Sequence, residues 1–445
     1  MPINIPNDVR NVDGTREENT GMNRFVHVLI VSLFALIVTL PSVSYAEEGA
    51  PVAKPDVYKI IALGDSISVG YEKGMNEKSV PYGYVDRIYE QALFRGRAQL
   101  ANYAILGLTT PGLEKLLEGA QAGKPLTADD LQDYSGFPDP RTKKQADSVA
   151  VKAPEIAPAL ADADLVVLTV GGNDFGTFIK KMMDSSSDAK TVLQTEFEPT
   201  MNNYTANVDT LMRKLHEMAP DAEIVLADQY LPLMEEHPLY EDLLAYVDKL
   251  TTALDDLAKK LNAEGIPLRI AHVGVKFAHK VKTFTYVTLL SVDNHPRQAG
   301  YEAMAKAYVE VIADWKTYLA PQPKPQGVTL SVVVNGQELP YKPINKNNTN
   351  FLPIGDLTTA VQADKQWDPK TKTVTVSKNN HVVRMTIGAA YMYVDGVKIK
   401  LNSPPAFIQK YGKEDKTYVP IAAIVQALDF DLVYRSKIQT AFINS

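Results

Sequence analysis

The chain has 445 residues, 45% of them hydrophobic and 22% charged. That supports a sizeable globular core, and the length suggests two domains plus a processed end. A net charge of −7 gives no basis for a nucleic-acid partner, and the absence of Cys excludes disulfides, thiolate metal sites, a Cys nucleophile and a lipid-modified N-terminal Cys.

Residues 1–21 are polar and lack apolar periodicity, and both Met1 and Met22 are available as starts. Asn23-Arg24 supplies a positive n-region and Phe25–Leu40 an uncharged apolar run. Pro41 breaks the run, and Ser44-Tyr45-Ala46 offers small residues to a signal peptidase. The run is short for a membrane span and no basic stop-transfer cluster follows, so residues 1–46 read as an upstream segment and cleaved signal. The expected protein is secreted, extracellular or envelope-associated, with no stable membrane anchor after cleavage.

After a short linker, strand and helix patterns alternate. Strands are expected at Val57–Leu63, Gln99–Ile105, Asp164–Val170, Glu223–Leu226 and Leu268–Ala271. Helices are expected at Tyr84–Phe94, Tyr204–Met218, Leu243–Leu261 (with Gly265 just past its end) and Gln298–Leu319. Such alternation over residues 57–319 predicts an α/β fold with a doubly wound parallel sheet. Ligands in such sheets sit beyond the carboxyl ends of the strands, where Ser66, Gly107 and Asn173 all lie. The stretch Pro111–Pro158 breaks the rhythm, as either a lid over the site or a surface excursion.

Residues 320–327 form a Pro-rich linker. Beyond it, 328–445 reads as a smaller α+β domain built from two repeats. Phe351-Leu352-Pro353-Ile354 with Val374-Thr375-Val376 recurs as Tyr418-Val419-Pro420-Ile421 with Ala441-Phe442-Ile443. Asn335-Gly336 and Asp395-Gly396 are hairpin turns upstream of each copy. From Gly327 onward 14 Lys and Arg face 9 Asp and Glu, so a basic appendage sits on an acidic body, as suits an anionic surface such as a cell wall.

Gly64-Asp65-Ser66 ends an apolar strand with a hydroxyl, which serves as a nucleophile only where a base and oxyanion donors converge. Among the seven His, none forms a metal-ligand spacing. His295 lies in a polar loop, Ser291-Val292-Asp293-Asn294-His295, that feeds the last helix. Gly107, in Asn102–Thr110, and Asn173, in Gly171-Gly172-Asn173-Asp174, can offer a backbone N–H and a carboxamide. Position 68 holds Ser, so the Gly-x-Ser-x-Gly elbow of lipases on the α/β-hydrolase fold is absent.

In order and spacing these four segments resemble the conserved blocks of the SGNH (GDSL) hydrolase family, over about Tyr58 to Leu319. The resemblance implies a flavodoxin-like three-layer sandwich and a secreted serine esterase or lipase. It also implies Ser66 as nucleophile, His295 as general base and acid, and an oxyanion hole from Ser66, Gly107 and Asn173, with no cofactor. The family's acid normally lies three residues before the His. That position is Val292 here, and the carboxylate is Asp293. Either the loop is reshaped so that Asp293 completes a triad, or a backbone carbonyl orients His295 and the site is a dyad. The tail resembles the repeat domain named after the N-terminal part of copper amine oxidases, which implies envelope association but not copper, since it holds one His and no Cys. The expected substrate is a carboxylic ester, lipid or acylated glycan, with a cell-wall polymer as partner of the tail. An O-acetyl esterase of wall glycans and a non-catalytic envelope-binding protein are the alternatives.

Overall fold

The computed structural model describes residues 57–183, 188–288, 293–324, 326–340, 343–411 and 413–445. The expected signal segment and Val292 lie outside the described residues. Five parallel strands form the central sheet: β1 (Tyr58–Gly64), β2 (Ala98–Asn102), β3 (Leu165–Thr169), β4 (Glu223–Ala227) and β5 (Leu268–Ala271). Their order is β2-β1-β3-β4-β5. The chain steps from β1 outward to β2, then crosses back to β3, so the winding reverses between β1 and β3 and leaves a crevice there. β3 is buried along its whole length, which is why Leu165–Thr169 reads as an almost unbroken apolar run.

Strand alternation sends Ile61 and Leu63 to one face and Ile60 and Ala62 to the other. The first face packs on Leu113, Ile156, Leu211 and Leu254, from the helices Thr110–Gln121, Ala153–Ala161, Ala189–Met218 and Tyr240–Ala263. The second packs on Tyr84, Ile88, Met304 and Tyr308, from the helices Tyr84–Leu93 and Gln298–Val311. The sheet is therefore covered on both sides, and its carboxyl edge is where loops are free to build a site.

Several elements depart from the sequence expectation. The second strand stops at Asn102 rather than Ile105. The helix expected from Tyr204 starts at Ala189, capped by Asp188, and carries Pro199 within it. The closing helix stops at Val311 instead of Leu319, because Ile312 turns extended and Asp314 adopts a positive φ. The chain then folds back and lays Trp315 on Tyr58, with ring centroids 5.7 Å apart. Pro111–Pro158 is no surface excursion: Leu113, Leu116, Leu117, Leu131, Ala146 and Ile156 are buried in the main core.

The C-terminal segment is richer in strand than expected, with three sheets and two seven-residue helices among the described residues. The repeat is visible in space. Phe351–Pro353 pairs antiparallel with Tyr418–Pro420, and the helices Ile354–Ala360 and Ile421–Ala427 each open just after the Pro. Asn335-Gly336 and Asp395-Gly396 have positive φ at both positions, as two-residue hairpin turns require. The described residues all belong to one compact unit. Val333 and Phe442 of the tail join the apolar cluster under the helix Tyr84–Leu93, with Phe442 edge-on to Phe94 at 4.9 Å.

Candidate active site

β1 and β3 converge at Gly64, where a Cβ would meet the Thr169 carbonyl oxygen at 2.0 Å. Only Gly lets the strand ends come this close. Asp65 then caps the four-residue helix Ser66–Val69, accepting from the Ile67 N–H at 3.0 Å and the Thr169 hydroxyl at 2.8 Å. Burial pushes its carboxyl up to about 6. Ser68, on the same turn, is fully buried and bonded to the hydroxyls of Tyr84 and Thr169 at 2.7 and 2.9 Å. Asp65 and Ser68 thus fix the turn, and Ser66 faces the cleft.

His295 lies at the end of the loop before the last helix. Its Nδ1 stands 2.8 Å from Asp293 Oδ1 and its Nε2 2.9 Å from Ser66 Oγ. A carboxylate only accepts, so Nδ1 carries the proton and Nε2 is left to accept from the Ser66 hydroxyl. The hydrogen bond from His295 holds the Asp293 carboxyl below the ordinary Asp range. Of the two loop arrangements expected, the one seen has Asp293 at the imidazole. Neighbouring groups pin the loop: Tyr286 N–H donates to the His295 carbonyl at 3.1 Å, and the Tyr230 hydroxyl to that of Asn294 at 2.5 Å. The Tyr71 ring stands edge-on to the imidazole at 4.5 Å.

Gly107 follows β2 with a φ of +75°, and the Phe137 ring lies over it so closely that a Cβ would sit 2.4 Å from Cζ. Among the described residues no acceptor is bonded to the N–H of Ser66 or of Gly107. Asn173, after β3, donates one carboxamide hydrogen to the Leu108 carbonyl at 3.0 Å, which fixes the amide while the other hydrogen has no acceptor among the described residues. Its neighbour Asp174 secures the turn by accepting from the Thr110 N–H and hydroxyl. Ser66, Gly107, Asn173 and His295 therefore all line one cleft of about 610 Å³ beyond the carboxyl ends of β1, β2 and β3.

The cleft walls were hidden in the sequence. One wall is the segment Tyr71–Pro81, the other Phe137–Ser148 from the stretch expected to be a lid or an excursion. Arg141 donates to the Met75 carbonyl at 2.9 Å, and Lys144 pairs with Glu77 at 2.8 Å, so the two walls touch across the rim. Ile67, Met75, Pro81, Leu106 and Phe137 make much of the interior apolar.

Residues 62–303 match the model of the GDSL-like lipase/acylhydrolase family, and residues 333–443 match the copper amine oxidase N-terminal domain. Similar solved structures include a lipase from a goat rumen metagenome, at 19% identity over 57% of this chain and 96% of that one (TM-score 0.38). An extracellular lipase from Streptomyces rimosus is 18% identical over 57% and 97% (TM-score 0.35). An acetyl xylan esterase from Geobacillus stearothermophilus is 16% identical over 57% and 93% (TM-score 0.33). No curated protein sequence matches the chain.

Proposed function

The protein belongs to the GDSL-like lipase/acylhydrolase family, and we propose that it cleaves carboxylic esters through an acyl-enzyme on Ser66. The observation that carries this reading is the hydrogen-bonded series Ser66–His295–Asp293. As Ser66 Oγ bonds to the ester carbonyl carbon, its proton passes to His295 Nε2, and Asp293 stabilises the resulting imidazolium. The carbonyl oxygen, now negative, is met by the N–H groups of Ser66 and Gly107 and the Asn173 carboxamide, each donor worth about 3–4 kcal/mol. His295 returns the proton to the leaving alcohol. Water then adds to the acyl-enzyme by the same route and releases the acid.

The cleft also favours a substrate class. A space of about 610 Å³ with apolar walls suits an acyl chain of several carbons better than an acetyl group. Export and an envelope partner for the tail belong to the same proposal. In support, the exposed side chains of Arg384, Lys398 and Lys400 put cations on the sheet of residues 364–400, as an anionic wall polymer would need. Initial rates on p-nitrophenyl esters from acetyl to palmitoyl test the substrate class. The expected optimum lies at roughly four to eight acyl carbons. A maximum at acetyl would instead favour an O-acetyl esterase of glycans, and no hydrolysis at any length would favour a binding protein.

A further inference from the structure

Two arginines, Arg97 and Arg435, join the C-terminal segment to the body of the protein through ion pairs, and they differ in where they lead. Arg97, just before β2, holds Asp431 through two bonds of 2.7 and 2.9 Å, and its side chain hydrogen-bonds to no other residue among those described. Arg435, four residues beyond Asp431 in the strand Asp431–Arg435, donates to Asp86 Oδ1 at 2.9 Å and to Glu90 Oε1 at 3.0 Å. Glu90 is only 3% exposed. Each of these carboxylates uses its other oxygen on the segment that enters the helix Tyr84–Leu93. Asp86 Oδ2 accepts from the Gly83 N–H at 3.0 Å, and Glu90 Oε2 from the Tyr82 hydroxyl at 2.8 Å.

That segment touches both halves of the site. Gly83 lies against Gly70, where a Cβ on Gly83 would be 2.6 Å from the Gly70 Cα. Gly70 is the C-cap of the Ser66 helix, its N–H directed to the carbonyls of Ile67 and Ser66. The Tyr82 and Gly83 carbonyls accept from Arg87, whose other nitrogen donates to the Gln298 side chain at 2.9 Å. Gln298 opens the helix that follows His295. A hydrogen-bonded network therefore runs from Arg435 through Tyr82, Gly83 and Arg87 to the helix behind the base, and Gly83 meets the nucleophile's helix by close backbone packing on Gly70.

Given the roles proposed above for Ser66 and His295, we infer that Arg435 is a positioning residue for hydrolysis and that the C-terminal segment is a working part of the enzyme. Without its guanidinium, Glu90 is a buried carboxylate lacking its cation. It must take a proton or turn outward, and either change disturbs Tyr82. Desolvation by burial already raises the Glu90 carboxyl, and Arg435 opposes that rise. Asp86 meanwhile loses the ion that orients it toward Gly83.

The test compares Arg435→Gln with Arg97→Gln in the full chain, since each removes one arginine from the same interface. For p-nitrophenyl butyrate, Arg435→Gln is expected to lower kcat by about 10- to 100-fold with little change in KM, and Arg97→Gln by no more than about two-fold. Hydrogen exchange over residues 66–83 should accelerate in Arg435→Gln and stay unchanged in Arg97→Gln. Should Arg435→Gln fail to fold, Tyr82→Phe removes only the hydroxyl that ties Glu90 to the segment, and it should lower kcat in the same sense. Equal losses in the two Arg variants, or unaltered exchange over 66–83 in Arg435→Gln, would overturn the inference. A wild-type chain without Ser66-dependent hydrolysis would be a failure of the proposed function instead, and the exchange comparison would then decide the coupling alone.

Discussion

Replacing His295 by Ala is expected to lower kcat for ester hydrolysis by about 10⁶-fold while changing KM little. Its Nε2 is the acceptor placed 2.9 Å from Ser66 Oγ, and a serine hydroxyl is a weak nucleophile at neutral pH unless its proton has somewhere to go. The ring is oriented by Tyr71 and Asp293 and lines the cleft, so the fold should survive its loss. Steady-state kinetics and a melting curve for the variant separate the two effects.

Asp293→Ala should cost about 10⁴-fold in kcat, less than the loss of His295 because the base remains. The carboxylate fixes the tautomer that leaves Nε2 free and balances the imidazolium formed during attack. Its pKa direction bears on the pH profile. A depressed Asp value means that the bond to His295 is intact above the ordinary Asp range and is lost only as pH falls through the depressed value. Loss of the Asp293 bond therefore does not limit the rate near neutrality. A loss below about ten-fold in Asp293→Ala would show that another acceptor orients the ring, and the site would then work as a Ser–His dyad.

Ser66, Gly107 and Asn173 were legible in the sequence because each ends an apolar run at a turn, and a parallel sheet gathers such ends at one edge. His295 was legible through its polar loop before an amphipathic helix. Asp293 could not be settled that way: a shift of one residue in a loop changes which side chain meets the imidazole, and no periodicity encodes it. Ser68 and Asp65 share the turn with Ser66, and only the close approach of β1 and β3 shows them bonded to Thr169. Pro199 masked the first half of a thirty-residue helix. Ile312, Trp315 and Leu319 continued an apolar pattern past the true helix end. The bond from Arg435 to Glu90 spans 345 positions, and no local signal in either segment announces it.

The central claim is that Ser66 is the nucleophile, and covalent labelling with an alkyl fluorophosphonate followed by peptide mass analysis tests it most directly. A single adduct is expected on the peptide containing Ser66, absent in Ser66→Ala and formed far more slowly in His295→Ala. No adduct on the wild-type protein, or an adduct that persists in Ser66→Ala, would contradict it.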